Sequence, residues 1–174
     1  SGGSAKGMAH IGFLQALHEA GIKPDYITGV SMGSIVGGMY AAGYHPDVID
    51  RVFRKLDYDL LLSDNFSEDR VVFDEKPFFR SRLLPFTIKD RKFRSPGGLV
   101  EGQYITSLMD YYTWPVALIK DFSKLPVPFK TIATNVATVE PRLLENGNLT
   151  DAMRASMAIP LAFTPVEIDD SLYV

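Results

Sequence analysis

The chain of 174 residues contains no cysteine, which excludes disulfide staples, thiolate metal sites and a cysteine nucleophile. It has no basic surplus either. Eighteen Lys and Arg stand against 21 Asp and Glu, a net charge of −3, which does not suit a nucleic-acid binder that neutralises phosphates over a broad basic surface. No charged start and apolar run precede Gly7, so no signal-peptide pattern is visible, and no internal repeat runs through the chain. The longest uncharged stretch, residues 26–46, reaches membrane-spanning length and sets Gly29, Gly33 and Gly37 four residues apart. It also holds five glycines, two serines and His45, and it divides more naturally into a β-rich piece at 26–30 and a helical piece at 34–42. Histidine is scarce, with three in all, and no Asp is followed by Gly.

What is present reads as one globular domain over residues 1–174, since 46% hydrophobic and 22% charged residues suffice for a packed core. The chain opens on Ser1-Gly2-Gly3-Ser4 with no strand leading in and stops at Ser171-Leu172-Tyr173-Val174 as if within a strand. The expectation is a piece cut at both ends from something longer. Residues 8–20 read as a helix with Gly21 as its left-handed cap. Residues 46–56 read as a second helix, with Val48, Ile49, Val52, Phe53 and Leu56 on one stripe, acids at its start and Arg51, Arg54 and Lys55 at its end. Helices are also expected over 101–112 and 149–157, a buried strand over 128–136, and a short strand over 142–144 ending at Asn146-Gly147. This alternation favours an α/β architecture with a mainly parallel central sheet.

Gly29-Val30-Ser31-Met32-Gly33 is a G-x-S-x-G pentapeptide with a strand-like run before it and a helix-like run after it, the setting of a nucleophile elbow. Such an elbow holds its serine in a strained conformation, so the positions two before and two after, Gly29 and Gly33, must lack side chains. A glycine-rich strand-to-helix turn without catalysis fits the same residues, since Ser is a common helix cap. Gly2-Gly3-Ser4-Ala5-Lys6-Gly7 is a second glycine cluster. It fails as a dinucleotide fingerprint because Ser4 occupies the middle glycine position, and it fails as a P-loop because Gly7 follows Lys6. It can serve as an oxyanion loop through the amides of Gly2, Gly3 and Ser4, or simply as a tight loop. The chain order Ser, acid, His of an α/β-hydrolase triad is absent, because His45 is the last histidine and follows Ser31 by only fourteen residues. His10 and His18 precede Ser31 with only Asp25 between, and His10 reads as a packed helix residue. A serine without a usable histidine asks for a carboxylate acting directly on its hydroxyl.

These residues together resemble the patatin-like phospholipase family, in its bacterial branch, over nearly the whole chain. Ser1 to Gly7 with Met8-Ala9-His10-Ile11-Gly12 is similar to the family's glycine-rich oxyanion block, with Ser4 in place of a more usual glycine. Gly29-Val30-Ser31-Met32-Gly33-Ser34 matches the nucleophile block. Arg154-Ala155-Ser156-Met157-Ala158-Ile159-Pro160 is similar to a small-residue block ahead of the last strand. The resemblance implies a three-layer α/β/α sandwich and a Ser–Asp dyad that cleaves fatty-acyl esters through an acyl-enzyme. It implies no metal and no cofactor. Ser31 would be the nucleophile, with Gly2, Gly3 and Ser4 holding the oxyanion. The family's aspartate sits in an Asp-Gly element after a strand, and here it would be the residue after Val174. Asp151, Asp169 and Asp170 are better explained as helix-start or turn residues.

The resemblance further implies a phospholipid or other acyl-ester substrate. Some bacterial members carry an additional outer-membrane barrel, which implies a peripheral membrane setting. Leu60, Leu61, Leu62, Phe66, Phe73, Phe78, Phe79, Leu83, Leu84 and Phe86 could form an acyl pocket or lid as well as core. The basic run at 80–94 could meet anionic head groups or be a solvated face. The rival reading is a non-catalytic lipid- or partner-binding module on the same fold.

Overall fold

The computed structural model describes residues 2, 4–57, 87–89, 92–94 and 98–174. The expected acyl-pocket residues between Leu60 and Phe86 lie outside the described residues, as does most of the basic run. Of that run, Lys89, Lys92 and Arg94 fall in a hairpin of strands β2 (Thr87–Lys89) and β3 (Lys92–Arg94).

The glycine-rich start passes through a 3-10 turn, Ser4–Met8, into helix α1 (Ala9–Glu19). That helix closes where its glycine dictates. Gly21 has φ +71°, and the N–H groups of Gly21 and Ile22 donate to the carbonyls of His18 and Leu17 at 2.9 and 2.8 Å, the paired closure of a Schellman motif. Strand β1 (Ile27–Gly29) then leads into helix α2 (Met32–Ala41), whose residues from Gly33 to Met39 are all buried. Helix α3 (Pro46–Lys55) begins with proline at its first position, where the missing N–H costs nothing. Its Ile49, Val52 and Phe53 are buried on one stripe, as the sequence periodicity requires.

Strand β4 (Gly98–Val100) precedes helix α4 (Gln103–Thr113), and strands β5 (Phe129–Thr134) and β6 (Pro141–Leu144) precede helix α5 (Leu149–Met157). Asn148 caps α5 by accepting the N–H groups of Thr150 and Asp151 at 2.8 and 3.4 Å. Strands β7 (Leu161–Phe163), β8 (Val166–Ile168) and β9 (Ser171–Tyr173) follow. The β8–β9 turn places Asp169 and Asp170 at φ +49° and +58°, the two positive angles a tight two-residue hairpin needs.

The central sheet has the order β1-β5-β6. Strands β1 and β5 are parallel, with Gly29 opposite Thr131, and β6 runs antiparallel to β5. A second parallel pair joins β4 to β7. On one face of the sheet Phe129, Thr131 and Ala133 are buried beneath α2 and α5. Alternation sends Ile132 and its partner Leu143 to the other face, where they are 41% and 50% exposed. Among the described residues, helices α2 and α5 supply the helical layer on the sheet.

Glycine spacing sets how closely these layers approach. A Cβ at Gly37 would lie 2.9 Å from Ile27 Cγ2 and 3.3 Å from the Phe129 ring, and one at Gly38 would overlap the Met153 sulfur. The four-residue glycine ladder therefore brings helix α2 onto its own sheet. Among the described residues no helix is long and apolar enough to cross a membrane.

Candidate active site

Strand β1 and helix α2 meet at Ser31, whose backbone takes φ +56° and ψ −124°. For a residue with a Cβ such a conformation costs on the order of 1–3 kcal/mol and survives only where the surroundings determine it. The reversal is tight enough that a Cβ at Gly29 would overlap the Gly33 carbonyl and lie 2.6 Å from Ser34 Cα. Gly29 is therefore required by the approach of backbone to backbone, and Gly33 is the residue approached. The turn is closed by Gly33 N–H donating to the Val30 carbonyl at 3.0 Å and Ser34 N–H donating to the Ser31 carbonyl at 2.8 Å. On the sheet side, Thr131 Oγ1 donates to the buried Gly29 carbonyl at 3.0 Å.

The glycine-rich start comes to this turn. Gly2 is so placed that a Cβ on it would be 3.4 Å from Ser31 Cβ, and one on Gly7 would be 2.5 Å from Met32 Cγ. Ser4 opens the 3-10 turn that follows. Gly3 lies outside the described residues. The fold thus brings Gly2 directly against the candidate nucleophile and ties the loop's last glycine to the first residue of α2.

A further residue at the turn comes from α5. The Ser31 N–H donates to Ser156 Oγ at 3.1 Å, and Ser34 Oγ donates to the Ser31 carbonyl at 2.7 Å while lying 3.3 Å from the Met153 carbonyl. Ser156 was present in the sequence only as part of a small-residue block. Nothing in its local pattern points across the 125 residues that separate it from Ser31. Helix α5 is itself anchored by Arg154, which is 3% exposed. Its Nη2 donates to the carbonyls of Glu101 and Thr164 at 2.9 and 3.4 Å, and its guanidinium lies 5.1 Å from the centre of the Phe163 ring. Gly102, at φ +73°, gives that guanidinium room: a Cβ there would be 2.5 Å from Nη2.

Four other ionisable candidates, His18, His45, Asp169 and Asp151, lie elsewhere. His18 and His45 face each other with Nε2 atoms 2.7 Å apart, at the end of α2 far from Ser31. Asp169 pairs with Arg142 at 2.5 Å, and Arg142 also donates to the Tyr173 hydroxyl at 2.8 Å, which lowers the pKa of that phenol below its usual range. Asp151 lies in the first turn of α5, with Ser156 in the last. Burial raises its carboxyl above the ordinary range, and the charge of Asp110 adds to this. Among the described residues, no group of three or more His, Cys, Asp or Glu gathers as a metal site.

The C-terminal residue also reaches this end of the sheet. Thr134 and Val174 exchange two backbone hydrogen bonds, at 2.6 and 2.9 Å, and Val136 N–H donates to the Leu172 carbonyl at 2.8 Å. Strand β5 has β6 on one edge and β1 on the other, and Thr134 sits opposite Pro141, which has no N–H to give. The Thr134 groups are thus used on the β1 edge. Strand β9 runs antiparallel to β5 there, and at Val174 it heads toward Thr131, the partner of Gly29.

Comparison with known proteins identifies the family and the fold. A family model described as patatin-like phospholipase matches residues 1–174. The chain is 31% identical over 170 residues to an uncharacterized NTE family protein of Mycobacterium tuberculosis, covering 98% of this chain and 39% of that protein. It is 27% identical over 173 residues to lysophospholipase NTE1 of Cryptococcus neoformans, covering 99% of this chain and 9% of the fungal protein. The chain therefore spans well under half the length of these relatives. The crystal structure of VipD from Legionella pneumophila superposes with a TM-score of 0.57 at 15% identity, over 99% of this chain and 44% of that one. With the glycine loop, the strained serine and the small-residue helix all within the matched span, the chain belongs to the patatin-like phospholipase family.

Proposed function

We propose that the protein is a lipid acyl hydrolase of the phospholipase A or lysophospholipase type, with Ser31 as its nucleophile. The observation that carries this reading is the backbone of Ser31, a serine held at φ +56° on a strand-to-helix reversal with Gly2 packed against its Cβ. The reversal presents the hydroxyl at the N-terminal end of α2, where developing negative charge is favoured.

In the proposed reaction the Ser31 oxygen attacks the acyl carbonyl of a phospholipid or related ester. Its proton passes to an aspartate and then to the departing alcohol. The amides of Gly2, Gly3 and Ser4 hold the tetrahedral oxyanion, and water then releases the fatty acid from the acyl-serine. The aspartate is expected just beyond Val174. Support for this comes from the direction of β9, which travels along the β1 edge of β5 toward the strand that ends at Ser31. A free carboxylate has a pKa of about 3.9, so its competence as a base depends on burial and on contact with the serine. The reading calls on no cofactor. Peripheral contact with a lipid surface follows from the nature of the substrate.

The natural protein is expected to release fatty acid from phosphatidylcholine or lysophosphatidylcholine vesicles. Ser31→Ala is expected to abolish release, as is conversion of the expected aspartate to Asn, with the thermal transition retained in both. Lipid-vesicle binding without any Ser31-dependent release would favour a non-catalytic binding module instead.

A further inference from the structure

The Ser31 conformation raises the question of what keeps it from relaxing. A helix N-cap ordinarily sits in the β region, whereas Ser31 stands at φ +56° and ψ −124°. Its peptide groups are fixed from both sides by hydroxyls. The N–H donates to Ser156 Oγ at 3.1 Å, and the carbonyl accepts from Ser34 Oγ at 2.7 Å. Ser34 is fully buried, at 0% exposure, and Ser156 nearly so, at 9%. Both hydroxyls meet at the last turns of α5, because Ser34 Oγ also lies 3.3 Å from the Met153 carbonyl.

The packing of α5 makes this contact reproducible. Met153 fills the space above Gly38 of α2, which fixes the two helices side by side. Arg154 fastens the same turn to Glu101 and Thr164. A hydroxyl at position 156 therefore arrives at a fixed point beside the Ser31 N–H.

We propose that Ser156 is a positioning residue for the hydrolase reaction: its Oγ accepts the Ser31 N–H and holds the nucleophile in its strained rotation, with Ser34 holding the carbonyl side. This rests on the reading of Ser31 as the nucleophile. Removing the acceptor leaves a part-buried N–H without its partner, and the peptide between Val30 and Ser31 can then rotate to recover a bond. That rotation carries the Ser31 hydroxyl away from the attack direction and from Gly2.

The test uses the natural protein and a short-chain p-nitrophenyl ester, with the rate of serine acylation by a fluorophosphonate measured in parallel. Ser156→Ala is expected to lower kcat and the acylation rate about ten- to a hundredfold, the range of one stranded donor, with KM unchanged within about twofold. Ser156→Cys, which keeps the volume and offers only a weak acceptor, is expected to fall in the same direction. Ser156→Thr, which keeps the hydroxyl, is expected to recover most of the rate. Thr150→Val serves as the structural control. It removes the buried 2.8 Å hydrogen bond to Thr113 at the opposite end of α5 and should lower the melting temperature without changing kcat.

If Ser156→Ala and Ser156→Cys keep wild-type acylation rates while Ser31→Ala is inert, the positioning role is overturned and the nucleophile assignment stands. Equal loss in Thr150→Val and in the Ser156 variants, tracking stability, overturns it too. Persistent labelling of Ser31→Ala overturns the nucleophile assignment itself.

Discussion

Ser31 and Gly29 show how little of an elbow is negotiable. The Cβ missing from Gly29 would overlap main-chain atoms of Gly33 and Ser34, which cannot swing aside as a side chain can. Gly29→Ala is therefore expected to cost about 1–3 kcal/mol, the usual range for forcing atoms into a packed site, and to remove fluorophosphonate reactivity. Urea unfolding and labelling of the same sample check both. The pentapeptide was readable in the sequence because its glycines record purely local sterics. Ser156 was not readable in this way. Its contact with Ser31 exists only once α5 lies against α2, and a serine in a run of small residues carries no mark of the bond it will make. Asp169 and Asp170 were legible for the opposite reason, since two adjacent acidic residues between short strands suit the positive φ angles of a hairpin turn.

Among the elements, α5 carries the clearest energetic signature. Asn148 accepts two N–H groups at its start, and Asn148→Ala is expected to lower stability by about 1 kcal/mol, read from a shifted urea midpoint at constant slope. In the next residue but two, the Asp151 carboxyl titrates above its ordinary range because of burial and then Asp110, with Lys120 acting weakly the other way. The native state thus keeps this proton to higher pH than the unfolded chain. Stability associated with it is present at low pH and is lost as pH rises through the carboxylate range. Asp151→Asn should therefore match the wild type at acid pH and gain in relative melting temperature as pH rises toward neutrality; a difference that does not change with pH would contradict this. Arg154, buried between Glu101, Thr164 and Phe163, is the pin of the element. Arg154→Met should cost about 1–3 kcal/mol through the carbonyls it strands, measured by chemical unfolding. Helix α5 itself was legible from its pattern and the following Pro160. The partners of Arg154 were not, because β4 and β7 are short strands whose pairing is decided by tertiary contact.

Across the whole molecule, segments far apart in sequence meet at one end of the β1–β5 pair: the glycine loop at Gly2, the elbow at Ser31, the last turn of α5 at Ser156 and the end of β9 at Val174. The α/β class with a mainly parallel sheet was legible from alternating patterns, as was β5 as a buried strand, whereas its pairing with β1 was not. The antiparallel arrival of β9 on the β1 edge of β5 was not legible either, since a three-residue strand carries almost no pairing information. From this convergence one serine in the chain, Ser31, is expected to be activated and the rest not. Mapping a fluorophosphonate adduct on the natural protein by peptide mass spectrometry decides this. A single adduct is expected, on the peptide containing Ser31, that disappears in Ser31→Ala. An adduct on a different residue, or labelling that survives Ser31→Ala, would contradict it.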